Sequence, residues 1–200
     1  MELGQALSQI SEIHGHLARS EVYRGLHPAP VMLTGVLALA AAAAEPHVIG
    51  PAEAGLPFVH YWIGVAALSA VACGAFILYN YCFREDGFSR RRTRKVLAQF
   101  LPCLAAGIAV TAGLAYVHTG GIGWLPGFWA VLFSLGIFAA RPSLPRAIGF
   151  VGLFYLGAGS LLLWLEPRLD IGWGMGLTFG IGQLAAGLVL HSNIRRDENG

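Results

Sequence analysis

The chain has 200 residues, of which 56% are hydrophobic and 12% charged, with 27 glycines and a formal net charge of +2. This composition excludes an ordinary soluble domain and is typical of a protein that crosses a bilayer several times. The sequence contains no GxSxG, HExxH, P-loop or Rossmann pattern, so it does not predict an enzyme.

The first 28 residues are predicted to form a cytoplasmic amphipathic arm. They lack the apolar core of a cleavable signal peptide, so we expect the first span to be retained. Apolar residues recur here at spacings of four and three, on one face of a helix: Leu3, Leu7, Ile10, Ile13 and Leu17. The arm cannot bury this stripe alone. Membrane, bundle or a partner helix could cover it, and the acidic first half favours binding to protein.

Six apolar segments follow, each near or above the length that crosses the hydrocarbon core as a helix. The longest charge-free run, 96–140, is divided by glycines and a proline at 118–127. The predicted spans are 29–45, 57–82, 96–117, 125–140, 146–165 and 171–192. The sequence therefore predicts an all-α, polytopic six-helix transmembrane bundle over 29–192, followed by a cytoplasmic tail over 193–200.

Basic residues are concentrated on one side of the predicted bundle. If the N-terminus is cytoplasmic, 12 of the 13 Lys and Arg residues fall on that side and only Arg168 on the other. The positive-inside rule then places both termini in the cytoplasm, which for a bacterial chain means the inner membrane. The stretch SRRRTRK at 89–95 is a topology anchor next to lipid phosphates, so no direct nucleic acid binding is expected.

The two halves of the chain show a possible 3+3 inverted repeat. Residues 64–79 align with 149–164 through two shared glycines and two shared leucines, and 101–110 align with 181–190 through LAAG. Three crossings reverse the direction of the chain, so such repeats would be inverted in the membrane, as in many transporters. Alanine, glycine and leucine dominate both halves, and chance matching is the alternative explanation.

Two ridges of small residues predict close helix packing. One lies on the sixth span and the other on the third: Gly172, Gly176 and Gly180, and Ala105, Ala109 and Gly113. The bundle interior is their ordinary use, and a homodimer face is the alternative. Among the polar residues within spans, Tyr155 and Gln183 are candidates for a central interhelical contact.

Three histidines, His47, His60 and His118, fall at the same predicted end of the first three spans. Three imidazoles could hold zinc or copper there, and Glu45 or Glu53 could complete the ligand set. A haem is a further option, although histidines also occur without ligands at a membrane interface. No cofactor is otherwise predicted. The three cysteines lie in or at the end of spans with no CxxC: Cys73, Cys82 and Cys103. Neither disulfides nor a zinc site built from cysteines is therefore expected.

Three long segments carry a resemblance to a known group: residues 6–35, 125–159 and 173–190. In these the chain resembles uncharacterised six-span bacterial integral membrane proteins with an amphipathic N-terminal segment. The resemblance implies a fold but no reaction. Three functional hypotheses remain open: a non-catalytic interaction, sensing or accessory subunit of a membrane complex, with a protein partner or a homo-oligomer; a carrier or channel for a small neutral solute; and a metal- or haem-binding redox protein.

Overall fold

The computed structural model describes residues 27–50, 55–83, 87–165 and 170–198. These residues form helices and short connections, and no strand occurs among them. Six helices in this part are long and apolar enough to cross a membrane, which confirms the predicted all-α polytopic fold. They are α1 (Pro28–Val48), α2 (Leu56–Phe83), α3 (Gly87–Ala112), α4 (Leu125–Ala140), α5 (Ile148–Leu165) and α6 (Ile171–Glu198).

The connections occur where the sequence changes its backbone chemistry. Proline occupies the first turns of α1 and α4, where its missing N–H would have no helical partner. Gly50, just after α1, has a φ of +85°, a conformation that other residues rarely adopt. Between α3 and α4, a π-helical turn (Gly113–Val117) ends the third predicted span, and a 3₁₀ helix (Thr119–Trp124) occupies most of the stretch predicted to turn.

α1 and α3 each extend beyond their predicted spans at one end. α1 continues through Pro46 to Val48, whereas the predicted span ends at 45, so Glu45 lies inside the helix. α3 begins at Gly87, nine residues before the predicted span, and includes the basic stretch. A span is read from the absence of charge, but a helix can continue past the hydrocarbon wherever its charged side chains reach water.

The helices differ sharply in how much of each one is covered by the rest of the bundle. α1 and α6 form the most extensive contact, followed by α4 with α5 and α3 with α4. The central windows of the spans containing α1, α4, α5 and α6 are 33–50% buried, against 6% for α2 and 11% for α3. Four helices therefore form most of the interior, while α2 and α3 turn most of their surface outwards.

Among the described residues, buried side chains form two clusters, one towards each end of the bundle. The first joins α1, α3, α4, α5 and α6 around Tyr155, whose ring lies 4.9 Å from that of Phe133 and 5.4 Å from that of Phe179. The second lies where α1 ends and α2, α4 and α6 begin, and it contains Phe58 and Trp62. We call this second half of the bundle the Glu45 end.

The neighbour relations bear on the possible inverted repeat. Under a 3+3 symmetry, the contacts of α1 with α2 and α6 would correspond to those of α4 with α5 and α3. All four contacts are present, but α4 and α5 meet far more extensively than α1 and α2. The repeat therefore stays a prediction.

Candidate functional site

The most unusual side chain in the described part of the bundle is the carboxyl group of Glu45. Its residue is 1% exposed, inside an apolar helix three residues before that helix ends. A carboxyl group removed from water loses much of its solvation free energy and needs hydrogen-bond donors or an opposite charge in exchange. Within a membrane span, such residues are functional candidates by default.

One oxygen of Glu45 has a partner and the other does not. The indole Nε1 of Trp62 donates a hydrogen bond to Oε2 across 2.9 Å, between two buried side chains. Oε1 is buried and has no hydrogen-bond partner in the described part of the chain. The carboxyl group is thus held by a single donor on α2.

Aromatic rings surround that donor and keep it dry. Trp62 is 1% exposed and lies between two neighbours on its own helix, Phe58 at 6.3 Å and Tyr61 at 5.8 Å between ring centroids. The hydroxyl group of Tyr61 donates a 2.7 Å hydrogen bond to the carbonyl oxygen of Ala41, one turn before Glu45 on α1. Two adjacent residues of α2 therefore bind the last turns of α1.

The third wall of the site is the first turn of α6. A Cβ built on Gly172 would overlap the carboxyl group of Glu45, so only a glycine leaves room for it. The positive end of the α6 dipole favours a negative charge there. Asp170, just before α6, accepts a 3.0 Å hydrogen bond from the backbone N–H of Trp173, and its own charge would repel that of Glu45. Glu45 thus joins α1, α2 and α6 at one point.

The three predicted metal-binding histidines differ from the buried carboxyl group of Glu45 in their exposure. His47, His60 and His118 are all exposed. The hydroxyl group of Tyr116 lies 3.5 Å from Nε2 of His60, a long distance for a hydrogen bond. No group of three or more His, Cys, Asp or Glu able to hold a metal occurs among the described residues. Metal binding by these histidines stays a prediction.

The first predicted packing ridge faces α1. Side chains added to Gly172, Gly176 or Gly180 would meet Glu45, Ala42 and Leu39 respectively. Three turns of α6 thus approach α1 closely enough to exclude a Cβ, which is the geometry that small residues permit.

The second predicted ridge does not lie against a neighbour in the same way. Ala105 and Ala109 are exposed on α3, and a Cβ added to Gly113 would have no atom within 4 Å beyond its own stretch of helix. This ridge lies on the outward side of the described bundle, where lipid or another protein would contact it.

Of the two predicted central polar residues, Tyr155 is fully buried and Gln183 half-buried. The Tyr155 hydroxyl group donates to the carbonyl oxygen of Phe179 at 3.4 Å, a weak interhelical contact between α5 and α6. Gln183 lies against α1, with its Cβ 3.1 Å from a Cβ built on Gly35. The predicted partner-binding stripe of Leu3, Leu7, Ile10, Ile13 and Leu17 falls outside the described residues.

Comparison with known proteins finds no match that would suggest a role for this site. No family model, no curated protein and no solved structure matches the chain. The site must therefore be judged from its own residues.

Sequence reasoning missed the importance of Glu45 because the residue stands at the edge of a charge-free run. The usable signal was the glycine ridge, since Gly172 leads a GxxxGxxxG pattern that needs a close neighbour. Nothing in the linear pattern shows that this neighbour is a carboxyl group 127 positions earlier in the chain.

Proposed function

We propose that the chain is a non-catalytic subunit of a membrane complex, and that it binds transmembrane helices of a partner protein through the exposed faces of α2 and α3. We further propose that it resides in a bacterial inner membrane with both termini in the cytoplasm. The 12-to-1 distribution of basic residues supports that orientation.

The observation that carries the proposal is a contrast between glycines. On α1, α4 and α6, every glycine has another helix or side chain within 4 Å of a built Cβ, and on α5 all but Gly157 do. On α2 and α3, Gly64, Gly74 and Gly107 have none. A glycine costs about 0.8–1 kcal/mol relative to alanine inside a helix, and close helix packing is its usual compensation.

The exposed glycines of α2 belong to a regular stripe. Five exposed residues follow one another at spacings of three and four: Gly64, Ala67, Val71, Gly74 and Leu78. This is the seven-residue period with which two helices pack side by side in a left-handed pair. Lipid chains gain no special contact from such a stripe, whereas a second helix does, because small residues let the backbones approach.

α3 carries a comparable stripe with the same spacing. Its exposed members alternate between small and large side chains: Ala98, Leu101, Ala105, Ile108 and Ala112. We call the α2 and α3 stripes together the docking face. Two consecutive helices that each turn a regular stripe containing small residues outwards support a binding role better than the carrier or metal-binding alternatives, for which the described residues offer no comparable observation.

The test uses bulky substitutions that fill the docking face without disturbing the bundle. Gly64→Leu and Gly74→Leu meet no atom within 4 Å at Cβ, so neither should clash internally. Gly157→Leu on α5 is the matched control, since it is equally open but lies outside the docking face. A cysteine at Val71, in a background without the three native cysteines, reports contacts by crosslinking in native membranes and in reconstituted purified protein.

If α2 binds a partner subunit, the crosslinked product forms in native membranes but not in reconstituted purified protein. If α2 binds a second copy of the chain, the product forms in both. In either case we expect Gly64→Leu and Gly74→Leu to reduce the product at least about tenfold, the effect of losing about 1.4 kcal/mol of binding free energy. Gly157→Leu should leave it unchanged. Absence of any crosslinked product at Val71, or equal loss in all three variants, would reject the docking face.

A further inference from the structure

We infer that α2 is latched to the rest of the bundle at the Glu45 end, by the hydrogen bond from Trp62 to Glu45, and that opening this latch lets α2 change its tilt. This inference does not depend on the docking face. It concerns how one helix is held to its own bundle.

The first step is the uneven burial of α2. The helix has 28 residues and is about 42 Å long at 1.5 Å per residue. Its fully buried side chains are Phe58, Val59 and Trp62, all in the first two turns. From Ile63 to Phe83 every described side chain is half-buried or exposed. The first quarter of α2 therefore provides the side chains of this helix that are fully buried in the bundle.

The first quarter of α2 also makes two side-chain hydrogen bonds to α1. Tyr61 and Trp62 both donate to α1, to the Ala41 carbonyl oxygen and to the Glu45 carboxyl group. The Ala41 carbonyl belongs to the α1 backbone, where helical hydrogen bonding already satisfies it. Glu45 has no such alternative, because the Trp62 N–H is the donor that its side chain finds in the described part of the chain.

Breaking the Trp62–Glu45 hydrogen bond in a dry site costs free energy. Losing the Trp62 hydrogen bond while the site stays dry leaves a buried carboxyl group and a buried indole N–H both unpaired, which is more costly than either the closed or the hydrated state. Glu45 lies one turn from the end of α1, so a displaced α2 would admit water to it from the membrane surface. The latch therefore has a dry closed state and a hydrated open state, with unfavourable intermediates.

Contacts farther along α2 do not fix its tilt in the same way. The ring of Phe76 lies 5.2 Å from that of His27, and Tyr79, Tyr81 and Cys82 have partners too. These contacts involve half-buried or exposed side chains, which can exchange one partner for another without leaving a buried polar group unpaired.

The experiment measures the position of the far end of α2 in lipid nanodiscs by pulsed electron paramagnetic resonance. Spin labels at Leu78 on α2 and Phe150 on α5, both exposed, report the movement. Labels at Phe150 and Leu188 on α6 form the reference pair within the remaining helices. All variants are made without the native cysteines. Trp62→Phe removes the donor but keeps a ring, and Glu45→Gln keeps an acceptor oxygen in the same place.

Trp62→Phe should roughly double the width of the Leu78–Phe150 distance distribution, or add a second peak, as expected when a minor state becomes populated. Glu45→Gln should resemble the wild type, because its amide oxygen still accepts from Trp62. The reference distribution should not change in either variant. An unchanged Leu78–Phe150 distribution in Trp62→Phe would overturn the latch. Equal broadening in Glu45→Gln would also overturn it, because that variant keeps an acceptor oxygen for Trp62. Broadening of the reference pair would overturn it too, because Trp62 would then stabilise the whole bundle.

Discussion

Replacing Gly176 by alanine adds one methyl group to the contact between α1 and α6, the most extensive helix pair in the described part of the chain. A Cβ at this position would overlap the Cβ of Ala42 and lie 3.1 Å from the carbonyl oxygen of Ala38. Both atoms are fixed to the backbone of α1, so no side-chain rotation relieves the overlap. The two helices must separate, and the separation disturbs the most extensive interface of the bundle.

Two opposing effects decide the size of the change. Overpacking of a tight interior costs about 1–3 kcal/mol. Alanine in place of glycine inside a helix contributes about 0.8–1 kcal/mol in the other direction. Because the obstructing atoms are held rigidly by the backbone of α1, we expect the overlap to dominate, with a net loss of up to about 2 kcal/mol in the free energy of unfolding.

Gly157→Ala provides the matched control. It makes the same chemical change inside a helix, but no atom lies within 4 Å of the added Cβ. We expect it to raise the free energy of unfolding by up to about 1 kcal/mol. Reversible unfolding in mixtures of a mild detergent and sodium dodecyl sulfate, followed by circular dichroism, measures both variants on one scale.

A second substitution tests whether the overlap is the cause. Ala42→Gly removes the atom that the new methyl group would meet, so the double variant should be more stable than the sum of the two single changes. If Gly176→Ala stabilises the protein as much as Gly157→Ala, α1 and α6 do not approach as described, and the reasoning is refuted.

Three further predictions address topology, the arm and the core. A cysteine at Gly120 should react with an impermeant thiol reagent added outside intact cells, whereas one at Ser89 should not, and reversed labelling would contradict the proposed orientation. If the apolar stripe of the arm also binds the partner, deleting residues 2–20 should leave six-span insertion intact but abolish recovery of that partner in a crosslinking pull-down, and an unchanged partner list would count against binding by the arm. Tyr155→Phe should lower the free energy of unfolding by less than about 1 kcal/mol, because the 3.4 Å hydrogen bond is weak. Tyr155→Ala should lower it by about 3–5 kcal/mol, because the ring is fully buried, and equal losses would show that the hydroxyl group matters more than the ring.

Six helices long and apolar enough to cross a membrane can be predicted from the hydrophobic pattern of the sequence alone. Hydrophobic length is a local property, and backbone groups in hydrocarbon must be satisfied within a helix, so each span can be read without knowing its neighbours. The glycines near 120 likewise identify the turn between α3 and α4. Helix ends were less predictable, because charged residues such as Glu45 can lie inside a helix that the sequence pattern would end.

Which helix surfaces meet could not be predicted from the sequence pattern and is seen in the folded bundle. The ridges on α3 and α6 have the same spacing of small residues, yet Gly176 lies against α1 while Ala109 is exposed. Likewise, Glu45 has a special role only because α2 and α6 bring Trp62 and Gly172 to it. These contacts join residues 17 and 127 positions apart. In a membrane, where apolar burial hardly distinguishes one helix face from another, their choice depends on packing between whole helices rather than on any local pattern.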